Sequence, residues 1–331
     1  MKKRLFGLTA AAVAFSGALG AAAPASAAYN LTLCGASPGG LWSLLGAGID
    51  AAVKASHPGS TITYQTSGGG FANVALLQKN KCDLAIVHDA EAIAAANGKK
   101  PFKAPVKNLR AVAVLYTWAP MQLILNKSFA DKHGVKSLED IVAKKAPVRV
   151  LLNRRGNVAS QIGEAMIEAA GGSIETIKAS GGSVTYAASK EQGELMRDRR
   201  ADAILNSLFI NHRSIRQLAK GIDLMLLPIS AATAEKVSGL WKINRFTIPS
   251  TAYEWAPQDT QTVALSAQLF VLDKADKKMV SDIAQALVTN NAKLSGVHKA
   301  MKPMTPKLLA SGRAVPYHGA AASVYKAAGL Q

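Results

Sequence analysis

Strands and helices alternate through the first part of this 331-residue chain, and no other feature restricts its fold as sharply. "YNLTLCGA" reads as a strand, "GGLWSLLGAGIDAAVKA" as a helix, "TITYQTS" as a strand, "FANVALLQKN" as a helix, "CDLAIVHD" as a strand and "AEAIAAANG" as a helix, before the strand "LRAVAVLYTW". Alternation of this kind gives a parallel sheet with helices on both faces. The unbroken apolar run "DLAIV" suits a central strand buried on both sides. At "MQLILNK" an apolar strand follows directly on Pro120 with no helix between, and "VRVLLN" then restarts strand–helix alternation. A second long apolar strand, "TVALSAQLFVLDK", returns the chain, and only helices follow. The reading is α/β: two lobes joined by two crossover strands, with a ligand cleft between. Residues 28–121 and 268–331 form lobe 1, and residues 122–267 form lobe 2.

The N-terminus is expected to be a cleaved signal peptide over residues 1–27. "MKKR" is a basic start, "LFGLTAAAVAFSGALGAAA" a small apolar run, and Ala25, Ser26 and Ala27 an A-x-A cleavage site. Removing Lys2, Lys3 and Arg4 lowers the formal net charge from +18 to +15. The remaining basic residues are scattered without interleaved aromatics, so nucleic acid is not expected as a partner, and a mild preference for acidic ligands is. Cys34 and Cys82 are read as buried free thiols. If their strands are parallel neighbours the sulfurs lie several residues apart, whereas a bridge needs Cα atoms within about 7 Å.

Ligands of open α/β sheets sit beyond the carboxyl ends of the strands. The strand-to-helix turns there are "GASPGGLW", "TSGGGFAN", "VHDAE", "NRRGNVASQ" and "NSLFINHR". No phosphate-loop or dinucleotide spacing occurs among them, no G-x-S-x-G elbow is present, and the six histidines lack metal-ligand spacing. No cofactor, metal or catalysis is therefore expected. The glycines "GGG" at 68–70 suit close backbone approach to an anion at a helix start. His88, ending a buried strand at the cleft, is read as a hydrogen-bond donor to a ligand. Arg154, Arg155, Asn157, Asn206 and Arg213 make the expected cleft basic and polar. Of the two adjacent arginines, Arg155 is expected to face inward, being nearer Gly156 and the helix N-terminus.

Four stretches carry a resemblance along nearly the whole chain: "GASPGGLWSLLG", "YQTSGGGFANVALLQKNKCDLAIVHD", "NLRAVAVLYTWAPMQLIL" and "FTIPSTAYEWAPQDTQTVALSAQLFV". In these the chain resembles the TAXI family of TRAP transporter solute-binding proteins. The resemblance implies a type II periplasmic-binding-protein fold, no catalysis, and a monomer that closes on a small organic anion. That anion would be an amino acid such as glutamate, or a di- or oxo-carboxylate, handed to the membrane permease of a TRAP transporter. An ATP-driven uptake system and a membrane sensor kinase are the alternative destinations. Carried onto this sequence, Ser37, Gly39 and Gly40 fall on the first ligand loop, Thr66, Ser67, Gly68, Gly69 and Asn73 on the second, and Tyr253 on the tyrosine after the "IP" turn. Ser67 and Asn73 are expected to add side-chain hydrogen bonds to the ligand. Family members often carry Thr-Tyr where this chain has Leu41 and Trp42, and a small, hydroxyl-rich loop where it has "NRRGNVAS".

Overall fold

A computed structural model describes residues 28–312 and 314–331, so the expected signal peptide lies outside the described residues. The chain begins with β1 (Asn30–Cys34), α1 (Leu41–Ser56), β2 (Thr61–Gln65), α2 (Gly70–Gln78), β3 (Leu84–His88) and α3 (Asp89–Ala96). The long strand β4 (Leu109–Asn126) leads to α4 (Lys127–His133), α5 (Leu138–Ala143), β5 (Arg149–Leu152), α6 (Val158–Ala169), α7 (Ile174–Ala179) and β6 (Ser183–Tyr186). Then come α8 (Ser189–Arg197), β7 (Ala203–Ser207), α9 (Arg213–Leu218), β8 (Leu224–Leu227), α10 (Ala231–Trp241), β9 (Asn244–Ile248) and the second long strand, β10 (Thr260–Leu272). After β10 follow α11 (Lys277–Thr289), α12 (Asn291–Ser295), a short 3-10 turn, α13 (Pro306–Leu309) and α14 (Gly319–Ala327).

The strand order is β2-β1-β3-β10-β4-β7-β5-β6, with β8 added on β4 and β9 on β10. β1, β2 and β3 pair in parallel, as do β5, β6 and β7, while β4 and β10 run antiparallel to their neighbours. Two strands read separately from the sequence, either side of Pro120, are one strand of 18 residues. β4 pairs with β10 up to Pro120 and with β7 and β8 from Met121 onward. Proline has no N–H to give a ladder, and here it marks the point where β4 exchanges one partner for another. β9, hydrogen-bonded to β10 from Thr260 to Ala264, was not anticipated from the sequence.

Local signals account for the elements. β3 is buried at every position, as its apolar run requires. α1 turns Leu45, Ile49, Ala52 and Val53 to the core at helical spacing; burying each larger side chain contributes roughly 1.5–3 kcal/mol. Ser137 caps α5 by accepting from Asp140 N, and Asn157 caps α6 by accepting from Ala159 N.

The cysteines correct the sequence reading. Cys34 and Cys82 form a disulfide, with Cα atoms 5.8 Å apart. The free-thiol expectation extended β3 in a straight line back to Cys82. The chain instead bends at Lys81 and Asp83 before β3 starts at Leu84, so Cys82 is not in line with the strand and reaches the end of β1.

Candidate functional site

The turns after β1, β3, β5 and β7, with the glycine loop after β2, meet around one cavity of about 100 Å³. Ser37, Gly40, Trp42, Gly68, His88 and Tyr116 line it from one side, and Asn153, Arg154, Asn157, Ser207, Phe209 and His212 from the other.

Each loop is fixed before it reaches the cavity. Tyr64 holds the first: its hydroxyl accepts from Ala36 N at 2.6 Å, and its ring lies where a Cβ on Gly35 would stand. Ser67 Oγ lies 2.6 Å from Gly35 O and 2.5 Å from Asn73 Oδ1, and accepts from Gly69 N at 3.0 Å. Asn73 is fully buried and donates to Gly35 O and Ile86 O. These two side chains, expected to reach the ligand, instead tie the first two loops and β3 together from behind. The third loop is closed by Glu91, whose Oε2 accepts from His88 N at 3.0 Å and lies 3.1 Å from His88 Nδ1. On the far side, buried Asn206 donates to Gln192 and Ser189 and accepts from Asn153. Tyr253 donates to Gln122 Oε1 at 2.7 Å and accepts from Asn211 N at 3.3 Å, while Gln122 donates to Leu208 O. Asn206 and Tyr253 therefore brace cavity-lining loops without lining the cavity.

The expected site residues thus divide. Ser37, Gly40, Gly68, His88 and Asn157 come together at the cavity. Gly39 and Thr66 are exposed and lie outside it. Gly69, with φ +123°, is buried where the two sides touch: a Cβ there would stand 3.2 Å from Gly156 O. The arginine assignment is reversed. Arg155 stacks on the Tyr186 ring, 3.8 Å from its centroid, and does not line the cavity. Arg154 lines it and donates across it to Ser37 Oγ. The left-handed Gly156, φ +90°, follows directly and turns the chain into α6. Proximity to the helix start thus does not decide which side chain points inward.

Sequence reasoning missed Trp42, Tyr116, Phe209 and His212 as lining groups. Three of them lie in the quoted turns "GASPGGLW" and "NSLFINHR", a usable signal. Tyr116 lies mid-strand, where period-two patterning marks it only as core.

Among the described residues Arg154 is the one Lys or Arg lining the cavity, and no Asp or Glu lines it. Burial, then His298 and Arg216, push His212 down to about 4, so its imidazole is neutral at neutral pH. His212 Nδ1 accepts from Ser214 N, which leaves the proton on Nε2. Burial holds the Tyr116 phenol well above its ordinary value, hence protonated. Asp89, hydrogen-bonded by Gln268, is raised by burial to about 6. Among the described residues no group of three or more His, Cys, Asp or Glu is placed to hold a metal, and no helix is long and apolar enough to cross a membrane. The arrangement suits holding an anion at one end and an apolar body at the other.

A family model described as the NMT1-like family matches residues 33–329. No curated protein matches the chain. Among solved structures, it is similar to MatC from Rhodopseudomonas palustris with bound malate, at 13% identity and a TM-score of 0.58, covering 92% of this chain and 96% of that one. It is also similar to the periplasmic binding protein BugD (12% identity, TM-score 0.56, 92% and 98% covered) and to a periplasmic transporter (12%, 0.50, 85% and 88%). At these identities the likeness is one of fold. The fold is the two-lobe α/β fold of the periplasmic binding proteins.

Proposed function

The chain belongs to the NMT1-like family, and we propose on that premise that it is a periplasmic solute-binding protein that captures a small organic anion. The observation that carries this reading is the cavity itself. Arg154, the one Lys or Arg among the described residues that line it, reaches across to Ser37 on the facing loop. A guanidinium fork is a natural carboxylate partner, and Gly68 and Asn157 stand beside it at the starts of α2 and α6. MatC, a solved structure of the same fold, holds the organic anion malate, which supports an organic anion as the class of ligand without fixing its number of carboxylates.

In this reading the lobes are residues 28–121 with 268–331, and 122–267. They swing about β4 and β10, the two long strands that run through both. The loaded receptor, exported by its N-terminal segment and acting as a monomer, delivers its anion to a TRAP-type permease, as TAXI receptors do. Its role is binding without turnover.

Native mass spectrometry of the protein purified from cells, without refolding, tests the reading. A small organic anion is expected to co-purify and to be lost on dialysis. Small-angle scattering should then show a smaller radius of gyration when the anion is restored. A radius unchanged at saturation would overturn the closure mechanism.

A further inference from the structure

The polar groups of the cavity's inner wall are already committed to one another. Trp42 Nε1 donates to Tyr116 Oη at 2.9 Å, Tyr116 Oη lies 3.4 Å from His88 Nε2, and His88 Nδ1 lies 3.1 Å from Glu91 Oε2. Glu91 is fully buried behind His88, and its other oxygen accepts from Val158 N, the first residue of α6. The N-terminus of that helix, an ordinary resting place for a ligand's anion, is thus occupied by a carboxylate of the chain itself. Gly70, at the start of α2, leaves the space for it: a Cβ there would meet Glu91 Oε2 at 1.6 Å. What remains facing the cavity from this wall is ring surface. Trp42 packs on His88 with centroids 4.7 Å apart, and Tyr116 meets Phe209 edge to face at 5.0 Å.

We propose that the cavity selects a compact monocarboxylate with an uncharged, apolar body, its carboxylate on Arg154 and its body against Trp42, Tyr116 and Phe209. The inference rests on the anion-receptor reading above and narrows it. A second carboxylate would enter a desolvated wall with no cation to meet it and with Glu91 one residue behind, which disfavours it by burial and by like charge. A volume of about 100 Å³ limits the body to a few heavy atoms; by comparison, an apolar cavity of about 150 Å³ accepts benzene.

The test titrates the full chain calorimetrically with probes on one carbon skeleton: pentanoate, glutarate and 5-aminopentanoate. Pentanoate is expected to bind at least about tenfold tighter than either of the others, because only it leaves no buried charge unpaired. Arg154→Gln should weaken pentanoate by about tenfold or more with an unchanged circular dichroism spectrum. Tightest binding of glutarate overturns the inference and leaves the anion-receptor reading standing. Tightest binding of 5-aminopentanoate overturns it in favour of an aromatic cage for cations. If none of the three binds and no anion co-purifies with the protein, the receptor reading falls and the inference with it. If none binds but an anion co-purifies, a monocarboxylate supports the inference and a multiply charged anion overturns it.

Discussion

Glu91 Oε1 accepts a hydrogen bond from Val158 N at 3.1 Å and thereby joins the end of the sheet built from β1–β3 to the first turn of α6. Glu91 also closes its own helix start at His88, so one buried carboxylate serves helix ends that belong to different sides of the cavity. Glu91→Gln keeps the volume but loses the charge and turns one acceptor into a donor facing an N–H. Stability should fall by about 1–3 kcal/mol, the cost of leaving a buried group without its partner. Urea unfolding measures this, and scattering should show a larger radius of gyration. An unchanged radius would mean that the contact does not hold the lobes together.

Gly69 takes φ +123° and lies against Gly156 and Asn157 on the other side of the cavity. Gly69→Val adds side-chain bulk at that contact and strains the backbone. We expect the variant to fold, with the lobes held apart and anion affinity lost. Normal affinity by calorimetry would reduce the loop to a connector.

The adjacent arginines should behave in opposite ways. Arg154→Ala removes the guanidinium that lines the cavity and should weaken anion binding by about tenfold or more. Arg155→Ala should leave affinity unchanged and lose only its contact with Tyr186, worth about 0.5–1 kcal/mol at an exposed site. Paired titrations and melts separate the two effects.

The Cys34–Cys82 bridge spans 48 residues and anchors the end of β1, next to a turn that lines the cavity. Cys82→Ser, or reduction of the native protein, should lower stability by about 2–4 kcal/mol. The check is urea midpoints with and without reductant; the variant should show no further loss on reduction.

His212 and Asp89 give opposed pH dependences. His212 is lowered from 6.5 to about 4, so between these values the unfolded chain takes up a proton that the folded one refuses. Its contribution is fully present above pH 6.5 and lost as pH falls toward 4. Asp89 is raised from 3.8 to about 6, so the folded chain holds the extra proton, and its contribution is lost as pH rises across that window. Each slope approaches about 1.4 kcal/mol per pH unit, and between pH 4 and 6 they largely cancel. His212→Gln should therefore make stability fall with rising pH relative to the parent, and Asp89→Asn should make it rise. Urea midpoints across pH 4–7 decide it, and parallel curves for all three proteins would refute both assignments.

The sequence by itself determined the α/β class, the long return strand β10 and the turns that meet at the cavity. These follow from periodicity and from the position of turns at strand ends, which are local properties of the chain. Turn residues beyond parallel strands have few places to go but the cleft, which marked Gly68, His88 and Asn157, while Ser37 and Gly40 came from the family resemblance; all five meet at the cavity. Only the tertiary structure decided what each side chain does there. Ser67, Asn73, Asn206 and Tyr253 are polar residues in or near the right loops, yet their hydrogen bonds are used up by partners between 2 and 131 positions away. Arg154 and Arg155 differ by one position, and the turn at Gly156 sends one across the cleft and the other onto Tyr186. Cys82 pairs with Cys34 because of a bend ahead of β3. These outcomes depend largely on partners that folding brings in from elsewhere in the chain, and local patterning carries no record of them.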